Sequence, residues 1–441
     1  MHHHNLMKLK ILMRRKAVGI YSSGDDRSVT GIGASILGPT FQDLATNVNR
    51  NISSLSVIFV GRALGYMCGS LIGGVLLDCM NQFLLLGLSM WILTVSTYLI
   101  PFCKTAVLLI VTMSAISVSF GVLDTGGNVV ILALSGDKSP RHMQALHFSF
   151  ALGAFLTPLL AKLALGPTVS ADNHTEPDFL PAALNASSEA ASDPLLAAPH
   201  DMTLLWAYAS LGTYSLVVSL LFFARFFMRS SRQGKSTASA QQSRRAQYHK
   251  ALLCLFLLFS FFSTGALVTY PSYLFSFATT HVGMDKREAA GLNSIFWGTL
   301  AACRGLAMLF AGCLSPASMI VLSNIGSLAA CLFLVLFDRS PLCLWIATSV
   351  YGASMATPYP SVFSWMQQYT TISGKSAAFI TIGAALGLMA IPALTGDIQG
   401  QYPDLPVLLY ACFGSAVFTA VLFPMMYKVA TLPLRKGSRK G

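Results

Sequence analysis

The chain divides into a dozen apolar stretches separated by short polar joints, and this pattern restricts its fold more than any other feature. A hydrocarbon core about 30 Å thick is crossed by about 20 apolar residues of helix. The expected fold class is therefore an all-α membrane protein with many spans. Composition agrees, because only 10% of the 441 residues are charged, where soluble domains carry about a quarter.

Eleven clear spans are expected at about Ser54 to Leu77, Phe83 to Phe102, Ala106 to Leu134, Met143 to Leu165, Thr203 to Met228, Ala251 to Thr279, Ala290 to Leu314, Met319 to Phe337, Leu342 to Trp365, Ala377 to Gly396 and Pro406 to Ala430. Ahead of them Gly31 to Leu44 is glycine-rich and only 14 residues long, below the minimum of about 17 for a span. It reads as the remaining half of a shortened first span. Met1 to Arg27 has no signal-peptide pattern, and His2 to His4 are too few for a purification tag.

The net charge of +12 would suggest nucleic acid in a soluble protein, but here it is orientation charge. If the amino terminus is cytoplasmic, 20 of the 29 basic residues fall on that side, five on the other and four within spans (Arg62, Lys162, Arg225 and Arg304). Lys162 and Arg225, near span ends, are expected to snorkel. The bias predicts both termini inside. Three glycosylation sequons, at Asn51, Asn173 and Asn185, then all face outward.

The boundaries expected are a cytoplasmic segment over 1–30, a six-helix half over 31–228, a basic cytoplasmic linker over 229–250, a second six-helix half over 251–430 and a basic tail over 431–441. The linker is read as a solvated joint, with binding to anionic lipid as the alternative. Ala151-Leu-Gly153 with Pro158 in the fifth span returns as Ala385-Leu-Gly387 with Pro392 in the eleventh, at the same spacing. Arg62 in the second span is likewise answered by Arg304 in the eighth. Such echoes six spans apart are what a duplicated six-helix unit leaves. Two such halves joined by a basic loop is the layout of the major facilitator superfamily, in which the substrate binds between halves that rock. The loop motif of that superfamily survives as Gly74-Val-Leu-Leu-Asp78 without its arginines.

A charge within a span is costly and tends to mark a pathway. Asp124 is the one acid well inside a span, and Asn128 lies one turn away on the same face. The pair suits a cation, a proton or a sugar hydroxyl, with Gly126 and Gly127 allowing close approach; the alternative is an ion pair of Asp124 with Arg62. Arg304 has no acid in its own half, and is expected to pair across the interface, hold a backbone carbonyl or contact substrate. Gln144 and His147 share a face and suit polyol hydroxyls, or are packing groups. Asn293 and Trp297 suit a hexose, or Trp297 belongs to an aromatic belt. Pro271 in the seventh span and the prolines of Thr357-Pro358-Tyr359-Pro360 in the tenth are gates or kinks. Gly153, Pro158, Gly387 and Pro392 are the expected packing and gating contacts.

No phosphate loop, zinc spacing or catalytic triad is visible, so no enzyme, catalytic residue, metal site or bound cofactor is expected. The nine cysteines lie in or beside apolar stretches, without a disulfide pattern. Any driving energy must come from an ion gradient.

The segments Leu37-Gly-Pro-Thr-Phe-Gln-Asp-Leu-Ala, Phe59-Val-Gly-Arg-Ala-Leu-Gly, Leu123-Asp-Thr-Gly-Gly-Asn, Gln144-Ala-Leu-His-Phe-Ser-Phe-Ala-Leu-Gly-Ala, Gly291-Leu-Asn-Ser-Ile-Phe-Trp-Gly-Thr and Ser349-Val-Tyr-Gly-Ala-Ser-Met-Ala-Thr carry a resemblance. Together the chain resembles the sodium-dependent glucose transporter 1 group of the major facilitator superfamily, itself similar to bacterial fucose permeases. The resemblance implies sodium-coupled glucose uptake, with urea permeation also associated with the group, at an apical plasma membrane. Asp124 and Asn128 match the fucose-permease pattern of an acid followed four residues later by Asn. In this reading they supply the ion site, and Gln144, His147, Asn293, Trp297 and Gln367 the sugar contacts.

Departures from the group's pattern are Leu267, Gln367 and Leu388 where it has acids, Pro271 where it has Gly, and the lack of a first-span acid before Gly38. They leave passive passage of glucose or urea as one alternative and a non-transporting membrane protein as another.

Overall fold

The computed structural model describes residues 24–50, 57–164, 202–230, 249–402 and 404–431. The three sequons, most of the linker and the tail beyond 431 lie outside the described residues. Twelve spans are present among those described. The first comprises residues 24–35 and, after a turn at Ile36, Leu37–Asn47. The second to sixth are Val57–Cys79, Gln82–Leu99, Ala106–Ser135, Ser139–Ala164 and Met202–Ser230. The seventh to ninth are His249–Thr280, Lys286–Phe310 and Pro316–Leu336. The tenth is broken into Pro341–Met355 and Pro358–Gln367, and Gly374–Gln401 and Val407–Thr431 complete the set.

Eleven of these match the expected spans. The first corrects the expectation: it is helical over the 24 residues from 24 to 47, about 36 Å of helix, and is not a half-span. The boundary placed at residue 30 falls inside it. The charged run Asp25-Asp26-Arg27 lies within this span, so the expected lack of a first-span acid before Gly38 does not hold: Asp26 is fully buried and Arg27 only 4% exposed. A charge can lie within a span when a partner on a neighbouring helix compensates it.

Local chemistry sets many helix starts. Asn81 and Thr105 accept hydrogen bonds from the first turns of the third and fourth spans. Ser315 and Ser340 cap the ninth span and the first half of the tenth, each followed by a proline at the first helical position. Helices such as the second span expose Val57, Leu64, Leu71 and Val75, an apolar surface suited to lipid.

The duplicated Ala-Leu-Gly motif acquires a structural meaning. A methyl added at Gly153 would lie 2.4 Å from the carbonyl oxygen of Ser28 in the first span, and one at Gly387 would lie 2.0 Å from that of Phe261 in the seventh. The fifth span is thus pressed backbone to backbone on the first, and the eleventh on the seventh. The two halves share one packing scheme, and these contacts lie inside each half.

One apolar core belongs to the first half and includes Leu44, Met90, Phe120 and Phe222. A second, including Tyr270, Phe296, Tyr351 and Cys412, belongs almost wholly to the second half. A third draws on both halves, with Leu77, Leu132 and Met143 against Phe256, Phe363 and Met366. Its members cluster at the end of the bundle where the sixth and seventh spans meet the linker. The halves are sealed together there, and their cores are separate at the opposite end.

Candidate functional site

Polar side chains from both halves line the seam above this seal. Asp124 in the fourth span forms a buried ion pair with Arg27, NH1 of the guanidinium donating to Oδ1. Arg27 NH2 also donates to the main-chain oxygen of Asp124 at 2.9 Å and to Asn128 Oδ1 at 3.1 Å. Tyr66 of the second span donates to Asp124 Oδ2 at 2.5 Å. The expected face of Asp124 and Asn128 therefore exists, but its partner is Arg27 and not Arg62. Arg62 lies one turn further from the linker end than Tyr66. Of the two glycines only Gly127 faces the pair, where an added methyl would stand 3.3 Å from Arg27 Nε; one at Gly126 would meet Leu86 instead.

Across the seam, Arg304 Nε donates at 3.1 Å to the carbonyl of Ala356, where the tenth span breaks ahead of Pro358. Its NH1 reaches the carbonyl of His147 in the other half at 3.5 Å. Of its expected roles the one seen is the holding of backbone carbonyls: it supports the freed backbone of the break and reaches a carbonyl of the other half. Asn293 and Trp297 lie 11 and seven residues before Arg304, hence on the same helix face. Trp297 is 39% exposed there, its ring edge against Phe296. His147 meets Tyr359 edge to face, with ring centroids 5.5 Å apart.

Gln144 and Gln367 sit lower, in the seal. Gln144 donates to Ser361 at 2.9 Å, and Gln367 donates to the carbonyl of Leu132 at 2.9 Å. Both bonds join the halves. Asp78, from the degenerate motif, accepts from the main-chain nitrogens of Gly374 at 2.8 Å and Lys375 at 3.3 Å. A carboxylate from the first half thus caps the eleventh span of the second, where the helix dipole favours negative charge. Asp78→Asn removes about 1 kcal/mol of this attraction, about a fivefold change in an opening equilibrium. The alkylation rate of a cysteine introduced at Ser361 is expected to rise by that factor, and an unchanged rate would show that the cap does not hold the seal.

Five candidate residues keep one buried polar atom without a hydrogen-bond partner: Asn128 Nδ2, Gln144 Oε1, His147 Nε2, Asn293 Oδ1 and Gln367 Oε1. Each such group costs about 1–3 kcal/mol when left unpaired. They come from both halves, those of Gln144 and Gln367 in the seal, and hydroxyl groups of a solute are partners of the kind that would satisfy them.

The prolines have separate settings. Pro271 is buried inside the seventh span, and the carbonyl of Pro392 accepts from Tyr273 at 2.9 Å. The side chain of Pro158 lies outside the described residues, as does that of Lys162. Arg225 lies over the Phe83 ring, 5.7 Å from its centroid. Sequence reading missed Arg27, Tyr66, Tyr359 and Ser361. A small-residue row at Gly24, Ser28, Gly31 and Ser35, spaced by one helical turn, was the signal that the first span starts earlier.

Twelve spans in two like halves, sealed at one end around a polar seam, define a membrane solute carrier, and the model of the major facilitator superfamily matches residues 27–392. The chain is 68% identical to the human sodium-dependent glucose transporter 1 over 93% of its own length and 80% of the relative's. It is 67% identical to the mouse sodium-dependent glucose transporter 1A over 93% of its own length and 96% of the relative's. It belongs to the sodium-dependent glucose transporter 1 family of that superfamily, a family of carriers and not of enzymes. In fold it is similar to the transporter FucP in the outward conformation, with a TM-score of 0.70 at 14% identity, over 94% of this chain and 99% of that one.

Proposed function

We propose that the chain couples sodium entry to glucose uptake by alternating access, with Asp124 and Asn128 as the ion site. His147, Asn293 and Trp297 hold the sugar, and Gln144 and Gln367 meet it as the seal opens. The observation that carries this reading is the set of unpartnered buried polar atoms on spans of both halves, with Asn128 one turn from Asp124. The names of the relatives supply the solute and the ion. The distribution of basic residues supports a cytoplasmic linker and cytoplasmic termini, which puts the sealed end on the cytoplasmic side and the sequons outside. The family resemblance supports an apical plasma membrane.

Labelled glucose uptake in cells with confirmed surface protein tests the reading. Uptake is expected to be several-fold higher in sodium than in choline medium. Equal uptake in both would favour the second reading, passive passage of glucose or urea. One observation leans that way: a guanidinium already sits on Asp124.

A further inference from the structure

Asp124 and Asn128 offer three oxygens toward one point, namely Asp124 Oδ1, the main-chain oxygen of Asp124 and Asn128 Oδ1. All three accept hydrogen bonds from Arg27. The remaining carboxylate oxygen accepts from Tyr66. Carboxylate, carbonyl and amide oxygens are the donor set that a hard cation takes, and membrane carriers hold sodium in this way. A guanidinium and a metal ion cannot occupy the same oxygens together.

The charges make the competition definite. Asp26, next to Arg27, is fully buried and both its carboxylate oxygens are unpartnered. Asp124 and Arg27 neutralise one another as a pair, so a monovalent cation on Asp124 takes over the neutralisation that the guanidinium supplies. The Asp26 carboxyl, on the adjacent residue, is the other acid near a guanidinium displaced from Asp124. Because a guanidinium does not deprotonate in proteins, it can yield the site only by moving.

We infer that Arg27 is a tethered cation that occupies the Asp124 and Asn128 site in place of sodium, and that sodium binds as the guanidinium leaves. The inference rests on the sodium-coupled reading above. It makes Arg27 a residue that sets ion affinity: if the guanidinium is seated in nine molecules of ten, the concentration of sodium needed is raised about tenfold.

The test is the sodium concentration giving half-maximal glucose uptake, measured at equal surface protein in the wild type, Arg27→Gln and Gly127→Ala. Arg27→Gln removes the competitor and is expected to lower that concentration about tenfold. Gly127→Ala keeps the arginine but crowds its Nε with a methyl at 3.3 Å, and is expected to lower it by a smaller factor. If Arg27→Gln fails to reach the surface, Gly127→Ala alone decides. Sodium dependence that first appears in the variants also supports the inference. An unchanged half-maximal concentration, with only the maximal rate altered, overturns it and leaves the sodium-coupled reading standing. Uptake indifferent to sodium in every variant overturns both.

Discussion

Asp124→Asn is expected to abolish sodium-driven glucose uptake. The carboxylate is the only acid in direct contact with Asn128's partner Arg27 among the described residues, and an amide offers sodium a dipole in place of a charge. A loss of about 3 kcal/mol in ion binding is a factor of more than a hundred, below the detection limit of most uptake assays. The single substitution also removes the partner of a buried guanidinium, a change that costs about 3–5 kcal/mol in stability. The double variant Arg27→Gln with Asp124→Asn relieves that cost. It is expected to reach the surface as the wild type does and still take up no glucose in response to sodium. Sodium-driven uptake by the double variant would remove Asp124 from the ion site.

The second large effect concerns assembly. Gly153→Val and Gly387→Val each drive a branched side chain into a neighbouring main-chain carbonyl, at positions where even a methyl would lie 2.4 Å and 2.0 Å away. Overpacking costs about 1–3 kcal/mol where side chains can give way, and a backbone oxygen in a membrane helix yields less. Surface protein is expected to fall severalfold for both variants, by a similar factor because the two contacts are equivalent. Gly414 meets nothing within 4 Å, so Gly414→Ala is expected to leave delivery unchanged. Normal delivery of both valine variants would show that the packing read from these glycines is not required.

Much of this architecture was legible because a bilayer imposes a single length and a single rule of backbone satisfaction on every span. The helix Ala106–Ser135 is apolar along most of its length and needed no partner to be recognised. The first span did not yield to the same reading. Arg27 can be buried because Asp124, 97 residues away in sequence, pairs with it, and local hydropathy carries no trace of so distant a compensation. The glycine echo was visible, but that it joins helices within each half depends on which spans pack together. Asp124, Asn128, Gln144, His147 and Arg304 were legible as groups too polar for lipid. Their partners were not, since a Tyr or Ser facing a seam resembles one facing a neighbouring helix.

The backbone contact between the first and fifth spans has a mechanical consequence. Ser28 is next to Arg27, and its carbonyl is pressed against Gly153. On the same fifth span are Gln144, which grips Ser361, and the His147 carbonyl reached by Arg304. With no side chain to cushion the contact, a shift of the first-span backbone at Ser28 passes directly to the fifth span. On the inference drawn above, an ion arriving at Asp124 would act, through the fifth span, on two of the bonds that join the halves.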